Sequence, residues 1–187
     1  MRMLIMGPPG SGKGTQGKKV AVDFGIPVIS TGAIFRANVA NQTELGKVVS
    51  KIMEAGDLVP DTVTVQLVAD RLAQSDTAPG FLLDGFPRTV AQAESLDQIL
   101  DTLDVSLDAV VRLVVDAEVL VQRMLKRAEI EGRADDNEET IRRRFEVYLA
   151  ETKPLLALYE ERGILVEVDG MGTVEEVHDR ILAALKK

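Results

Sequence analysis

The stretch of this sequence with the clearest chemistry is GPPGSGKGT, Gly7 to Thr15, a glycine-rich segment with one lysine. The general phosphate-binding loop has the pattern G-x-x-x-x-G-K followed directly by Ser or Thr. Here the lysine, Lys13, fits the pattern, but Gly14 occupies the hydroxyl position and Thr15 comes one residue late. Small residues let backbone N–H groups approach phosphate oxygens, and Lys13 adds a mobile positive charge. The segment therefore predicts a site for nucleotide phosphates, with a plain glycine-rich turn as the alternative.

A second candidate is FLLDGFPRT, Phe81 to Thr89, in which an apolar run ends at Asp84. A carboxylate at the end of a strand can orient Mg²⁺ or its water ligands beside nucleotide phosphates. Gly85 and Pro87 favour a fixed turn, after which Arg88 offers a planar fork that suits a phosphate group. An ordinary strand-end aspartate in a turn is the alternative for Asp84.

Three weaker signals involve a helix cap, a carboxamide and a glycine pair. Ser30 or Thr31, in STGAIFR, can cap a helix that carries Arg36, and such a segment is usually only a cap. Gln92 can both donate to and accept from an adenine edge, although an isolated glutamine is more often solvated. The glycines of VDGMG, residues 168–172, would let backbone pack near a base, but Asp-Gly after a strand is often only a turn.

A set of arginines occupies the C-terminal half. Arg123 and Arg127 are four residues apart on one predicted helix and share a face. In IRRRFEVY, at 100° per residue, Arg144 lies at the edge of the apolar stripe and Arg143 lies nearly opposite it. We therefore expect Arg144 to face a cleft and Arg143 to face solvent. A solvated helix with Glu/Arg pairs is the interpretation that we favour for Arg142 and Arg143.

The elements that must position these residues alternate along the chain. Several apolar runs are apolar throughout, which is typical of parallel strands covered on both faces. Strands that alternate with helices predict an α/β fold with a doubly wound sheet, whose ligands gather at the carboxyl ends of the strands. The expected strands are Met3–Met6, Pro27–Ile29, Phe81–Leu83, Val110–Val115 and Ile164–Val168. The expected helices are Lys13–Phe24, Asp61–Gln74, Thr89–Leu103, Ala117–Ala128, Glu138–Glu161 and Thr173–Leu185.

Two segments depart from this alternation. The stretch 30–59 has helical patterns but no strand beyond Ile29, which predicts a helical insertion carried on the sheet. The stretch around 126–136 is short and charged and contains Gly132, which predicts a loop or flap. A length of 187 residues with 45% hydrophobic residues predicts one compact domain with a sizeable core.

Composition excludes several classes of function. A net charge of −8 disfavours general binding to nucleic acids. The chain has no cysteine, which excludes disulfides and thiolate metal sites. Its single histidine, His178, lies in a charged helix, where we expect it to be exposed and uninvolved. The opening MRMLIMG is too short for a signal peptide and no run reaches the length of a membrane span, so we expect a cytoplasmic protein.

GPPGSGKGT, with Gly and then Thr after the lysine, and DGFPR closely resemble the adenylate kinase family, as do five segments in order over essentially the whole chain. The resemblance implies a P-loop fold with a five-stranded parallel sheet. It also implies reversible phosphoryl transfer from MgATP to AMP, giving two ADP, in purine nucleotide and energy homeostasis. The core would be 1–29, 60–125 and 137–187, with an AMP-binding insertion at 30–59 and a short lid at 126–136. Both of these should close on binding. Mg²⁺ is implied as cofactor, without zinc, nucleic acid or membrane, in a monomer.

The resemblance also implies the site residues, with Arg127 beside the donor nucleotide, Arg133 brought in by the lid and Gly172 contributing its main chain. Asp84 would hold magnesium through water. The catalytic residues would be Lys13, Arg88, Arg123, Arg133 and Arg144. The ATP-binding residues would be Gly10, Ser11, Gly12, Lys13, Gly14, Thr15, Arg123, Arg127 and Gly172. The AMP-binding residues would be Thr31, Arg36, Asp57, Leu58, Val59, Gly85, Phe86, Pro87, Arg88, Gln92, Arg133 and Arg144.

The sequence leaves two alternatives open. One is a different acceptor nucleotide, and the other is a protein that binds nucleotide without transferring phosphate. A UMP/CMP kinase has the same fold, and only Thr31 and Gln92, carried over from the resemblance, argue for AMP. The other alternative is a nucleotide-dependent switch or binding module. GTPase-type switches usually carry an N-K-x-D string, which this sequence lacks, and the set of arginines suits two phosphate chains better than one.

Overall fold

The protein folds around one parallel sheet of five strands, in the order β2-β3-β1-β4-β5. A computed structural model describes residues 1–132 and 137–186. The predicted α/β class with a doubly wound sheet is confirmed, and each predicted strand is present with ends shifted by at most one residue. The strands are β1 (Arg2–Met6), β2 (Val28–Ser30), β3 (Phe81–Asp84), β4 (Ala109–Val114) and β5 (Leu165–Asp169).

Helices cover both faces of the sheet, and several begin where a side chain accepts a hydrogen bond from the first turn. Ser30, Thr43, Thr89, Asn137 and Thr173 are such caps. A 3₁₀ turn covers Ser75–Thr77 and a π-helical turn covers Tyr148–Thr152. The α-helices are α1 (Lys13–Phe24), α2 (Thr31–Ala40), α3 (Glu44–Glu54), α4 (Asp61–Leu72), α5 (Val90–Thr102), α6 (Ala117–Glu131), α7 (Glu138–Val147), α8 (Leu155–Glu161) and α9 (Val174–Leu185).

The central strand β1 is apolar throughout because successive side chains enter two different cores. Leu4 and Met6 pack into the core beneath α4, α5 and α8. Met3 and Ile5 pack into the core beneath α1 and α9. The sheet is therefore fixed from both faces, and the loops at its carboxyl end have a rigid support.

The continuous helix predicted for Glu138–Glu161 is wrong. The chain forms α7, then the π-helical turn, then α8. In this turn the N–H of Lys153 donates to the carbonyl of Tyr148 at 2.8 Å, and Pro154, which follows, has no N–H to continue the regular pattern. Apolar residues continue through the turn, so periodicity did not reveal the break.

The loop predicted from about residue 126 begins later. Helix α6 continues to Glu131, through residues with good helix propensity, and ends at Gly132 in the left-handed conformation, with φ of 60°. Arg133 and the rest of 133–136, and residue 187, lie outside the described residues.

The expectation that His178 is exposed is also wrong. Its side chain is only 12% exposed because α9 packs against α1, and its Nε2 lies 2.6 Å from Oδ2 of Asp23. Between β2 and α4, helices α2 and α3 form a small separate core of Phe35, Val49 and Val59. None of the described helices combines the length and apolar character that crossing a membrane requires.

Candidate active site

A cleft of about 1270 Å³ opens at the carboxyl ends of β1, β2 and β3. Of the predicted site residues that the structure describes, Ser11 and Gly172 alone do not line it. Ser11 is buried within the glycine-rich loop, and Gly172 is exposed in the turn before α9. The predicted residues that line the cleft are Gly10, Gly12, Lys13, Gly14, Thr15, Thr31, Arg36, Asp57, Leu58, Val59, Asp84, Gly85, Phe86, Pro87, Arg88, Gln92, Arg123, Arg127 and Arg144.

The glycine-rich loop connects β1 to α1 and curls around the side chain of Lys13. The Nζ of Lys13 donates to the carbonyl oxygens of Gly7 and Pro8, each at 2.9 Å. Gly10 has φ of 80°, and a Cβ there would lie 2.8 Å from the carbonyl oxygen of Leu120 in α6. The loop thus needs glycine both for its backbone conformation and for its contact with α6.

Positive charge is concentrated around Lys13. Burial in the cleft lowers the pKa of its ammonium to about 8, against the opposing effect of the Asp84 carboxylate. The charges of Arg88, Arg127 and Arg144 lower it further. Burial also lowers the pKa of Arg88, and the charge of Arg144 contributes to that shift. These cations are therefore close enough to act together on one multiply charged anion.

The carboxylate of Asp84 lies at the end of β3, beside the glycine-rich loop. Its Oδ2 accepts a hydrogen bond from Oγ of Ser30 at 3.4 Å, and a Cβ on Gly14 would lie 3.8 Å from the same oxygen. No group of three or more His, Asp or Glu side chains that could hold a metal ion occurs within residues 1–132 and 137–186. Any cation at this carboxylate needs further oxygen ligands from a bound molecule or from water.

Arg88 is held through both its side chain and its backbone. The carbonyl oxygen of Gly85 accepts from Nε of Arg88 at 2.8 Å and from Oγ1 of Thr31 at 3.0 Å. The Arg88 N–H donates to Oε1 of Gln92 at 2.8 Å, and its carbonyl accepts from Oγ1 of Thr152 at 2.9 Å. Thr152, in the π-helical turn, also lines the cleft, and no sequence motif indicated it.

Gln92 is 2% exposed, so the alternative that it is a solvated helix residue is excluded. Its Nε2 donates to Oδ1 of Asp61 at 2.8 Å, and the same oxygen accepts from Oγ1 of Thr89 at 3.2 Å. Sequence reasoning assigned no role to Asp61, although it is the last residue of GDLVPD, Gly56 to Asp61, a segment that the family resemblance places over the base.

The arginines of α6 and α7 differ in their surroundings. Arg123 donates from Nη2 to the carbonyl oxygen of Gly170 at 3.2 Å, so it lies against the loop that follows β5. Arg127 and Arg144 line the cleft nearer to Lys13, whose pKa both affect. The predicted catalytic residue Arg133 lies outside the described part of the chain.

The prediction that Arg143 faces solvent is wrong in part. The side chain is half exposed, but Nε donates to Oδ1 of Asp57 at 2.7 Å, which connects α7 to the segment after α3. The contact is close because Gly56 leaves room for α7, where a Cβ would lie 3.0 Å from the carbonyl oxygen of Thr140. Arg142 is solvated and pairs with Glu138 at 2.9 Å, as expected.

Comparisons with known proteins agree with these features. Residues 5–164 match the family model described as adenylate kinase. The chain is 57% identical over 183 residues to the adenylate kinase of Leifsonia xyli subsp. xyli, covering 98% of this chain and 92% of the relative. It is 53% identical over 186 residues to that of Kocuria rhizophila (100% and 99% covered) and 54% identical over 186 residues to that of Thermobifida fusca (100% and 98% covered).

Proposed function

The chain belongs to the adenylate kinase family and is a phosphotransferase, and we propose that its cleft transfers a phosphoryl group reversibly between MgATP and AMP. The observation that carries the site assignment is the convergence of three arginines on Lys13 at the carboxyl end of the sheet. The phosphates of two nucleotides that meet there would be neutralised from several sides.

ATP would bind on the α1 side of the cleft. Backbone N–H groups of the glycine-rich loop and the N-terminus of α1 suit its phosphates, with Gly10, Ser11, Gly12, Gly14 and Thr15 as the loop residues. Lys13 would leave its two carbonyl partners to contact the outer phosphates. Arg123 lies towards the loop after β5, which supports its assignment to the ATP side of the cleft, and Gly172 would contribute through its main chain.

AMP would bind on the opposite side, between α2 and the segment 56–59. Thr31 and Arg36, with Arg88, would hold its phosphate, and Gln92 would read its base. The remaining contacts would come from the two loops that line this side, namely Asp57, Leu58, Val59, Gly85, Phe86 and Pro87.

The transfer needs alignment, charge neutralisation and exclusion of water, and little covalent chemistry from the protein. The phosphate of AMP is already a nucleophile, so no general base is required. Lys13, Arg88, Arg127 and Arg144 would stabilise the charge that spreads over the transferring phosphoryl group. Arg123 and Arg133 stay in the catalytic set as predicted from the family resemblance. Closure of an AMP-binding insertion, 30–59, and a short lid, 126–136, would exclude water.

Magnesium fits the donor set as an ion held mainly by phosphate oxygens. Asp84 lies beside the glycine-rich loop. The hydroxyl of Ser30, which donates a hydrogen bond to Asp84, also offers an oxygen atom of the kind that Mg²⁺ prefers. We propose that Asp84 holds the ion through its water ligands. When bound, magnesium would neutralise part of the negative charge of the phosphates. We further propose that the protein acts as a cytoplasmic monomer.

The test is ADP formation from MgATP with AMP, UMP, CMP or GMP, or with no acceptor. Rapid and reversible conversion with AMP alone supports the proposal. A preference for UMP or CMP would keep the fold and the phosphate site but replace the acceptor. Phosphate release without any acceptor, and no transfer, would contradict the assignment and favour a nucleotide-dependent switch.

A further inference from the structure

We propose that Asp61 fixes the orientation of the Gln92 carboxamide and so makes the acceptor site select adenine over guanine. The inference rests on the proposed function, in which Gln92 reads the base of the acceptor nucleotide. Asp61 itself does not line the cleft, so it would be a positioning residue that acts through Gln92.

The carboxamide of Gln92 has two partners of opposite hydrogen-bonding character. A carboxylate oxygen of Asp61, 2.8 Å from Nε2, can only accept a hydrogen bond. The backbone N–H of Arg88, 2.8 Å from Oε1, can only donate one. Together these partners allow one orientation of the amide, with its nitrogen towards Asp61 and its oxygen towards Arg88.

Reversal of the amide would be costly at this position. It would place the Nε2 donor against the Arg88 N–H and Oε1 against the Asp61 carboxylate, so both hydrogen bonds would become repulsive contacts. Because Gln92 is 2% exposed, water has little access to compensate for the loss. The orientation is therefore set before a nucleotide binds.

The partners leave the amide with one N–H and one oxygen lone pair for the ligand. Each edge of adenine offers a ring nitrogen that accepts, next to the N6 amino group that donates. An amide of fixed orientation matches both groups, because Nε2 donates to the ring nitrogen and Oε1 accepts from N6. Guanine presents the O6 acceptor where adenine has N6, so two acceptors would face each other.

Asp61 is itself held in place from two directions. It is the first residue of α4, where a carboxylate is favourable near the helix N-terminus. Its Oδ1 also accepts from Oγ1 of Thr89, the residue that caps α5. The same oxygen thus receives both hydrogen bonds, and the pair connects α4 to the helix that carries Gln92.

The test compares Asp61→Leu with Asp61→Asn. Leucine has a similar size and no acceptor, so we expect the ratio of kcat/KM for AMP to that for GMP to fall at least about fivefold. The loss should lie in the KM for AMP, with kcat at saturation nearly unchanged. Asparagine can present an oxygen at the same place and should keep the ratio within about twofold. Asp70→Leu, on the exposed side of α4, is the matched control and should leave the ratio unchanged.

Three outcomes would overturn the inference. One is an unchanged ratio in Asp61→Leu with a normal thermal melt. Another is a loss in Asp61→Asn as large as in the leucine variant, because the negative charge rather than an oriented oxygen would then matter. The last is a further fall in the ratio when Asp61→Leu is added to Gln92→Ala, since Asp61 would then act independently. If the leucine variant does not fold, Asp61→Ala takes its place under the same criteria.

Gln92→Ala separates this inference from the proposed function. If that variant keeps the AMP to GMP ratio of the unmodified protein, Gln92 does not read the base, and the assignment of the acceptor base site fails with the inference. If Gln92→Ala lowers the ratio but Asp61→Leu does not, the base reader stands and only the role of Asp61 is overturned.

Discussion

Nucleotide binding should make Lys13 take up a proton from solution. In the cleft its pKa is lowered to about 8, by burial first and then by the charges of Arg88, Arg127 and Arg144, against the effect of Asp84. The phosphates of ATP would bring negative charge to the ammonium and raise its pKa again. Proton uptake per bound ATP should therefore be below about 0.1 near pH 7, about 0.5 near pH 8 and about 0.9 near pH 9.

Calorimetric titration with a non-hydrolysable ATP analogue measures this uptake, because the apparent binding enthalpy then depends on the ionisation enthalpy of the buffer. Lys13→Arg is the control, since arginine keeps the positive charge and stays protonated over this range. Equal proton uptake by the two proteins would refute the reasoning, as would an uptake in the unmodified protein that does not grow with pH.

The same shift affects the free energy of unfolding of the unliganded protein. The unfolded lysine has the ordinary pKa of 10.5 and the folded one a pKa of about 8. Below about pH 8 both states are protonated, so the cost of burying the charge is fully present. Between about pH 8 and 10.5 only the unfolded state retains the proton, so stability should rise with pH, by about 3 kcal/mol at most. Denaturant unfolding of the Lys13→Met variant should lack this rise, and an identical pH profile would contradict it.

Three further predictions concern groups around the cleft. Arg88→Lys should lower turnover at least about tenfold with little change in the melting temperature, because lysine lacks the planar guanidinium that binds a phosphate through two N–H groups. Unchanged turnover would contradict the catalytic role of Arg88. Thr152→Val removes the hydroxyl that donates to the Arg88 carbonyl and should lower the free energy of unfolding, measured with urea, by about 1–3 kcal/mol. An unchanged free energy of unfolding would show that this hydrogen bond contributes little. Arg143→Gln should change stability by under about 1 kcal/mol but raise the KM for AMP. Asp57→Asn should match it, and additive effects in the double variant would exclude a shared contact.

Much of the fold was predictable because local and global signals agree. The runs that are apolar throughout, such as Met3–Met6, are typical of strands covered on both faces, and together with their alternation with helices they indicated the parallel sheet. The glycine-rich loop was predictable because its residue types are dictated by a left-handed turn, a close backbone contact and a charge. DGFPR was predictable for similar reasons, with a carboxylate at a strand end and Arg88 after a turn.

The remaining features depend on tertiary contacts that no periodicity encodes. Arg143 lies opposite the apolar stripe of α7, yet it contacts Asp57 because Gly56 lets the helix approach. The role of Asp61 could not be predicted, because its contact with Gln92 depends on how α4 packs against α5. His178 was judged by its charged neighbours in the chain, whereas packing against α1 determines its burial.

The π-helical turn at Tyr148–Thr152 absorbs one extra residue between α7 and α8. It directs Thr152 to Arg88 while allowing Leu155 and Tyr159, farther along, to enter the core. If the same residues returned to regular α-helical hydrogen bonding, everything that follows would rotate by about 100° around the helix axis. Deleting one residue within the turn would instead restore α-helical hydrogen bonding and keep α8 in register. A one-residue deletion should therefore be better tolerated within this turn than inside α8, where it would rotate the residues that follow out of the core.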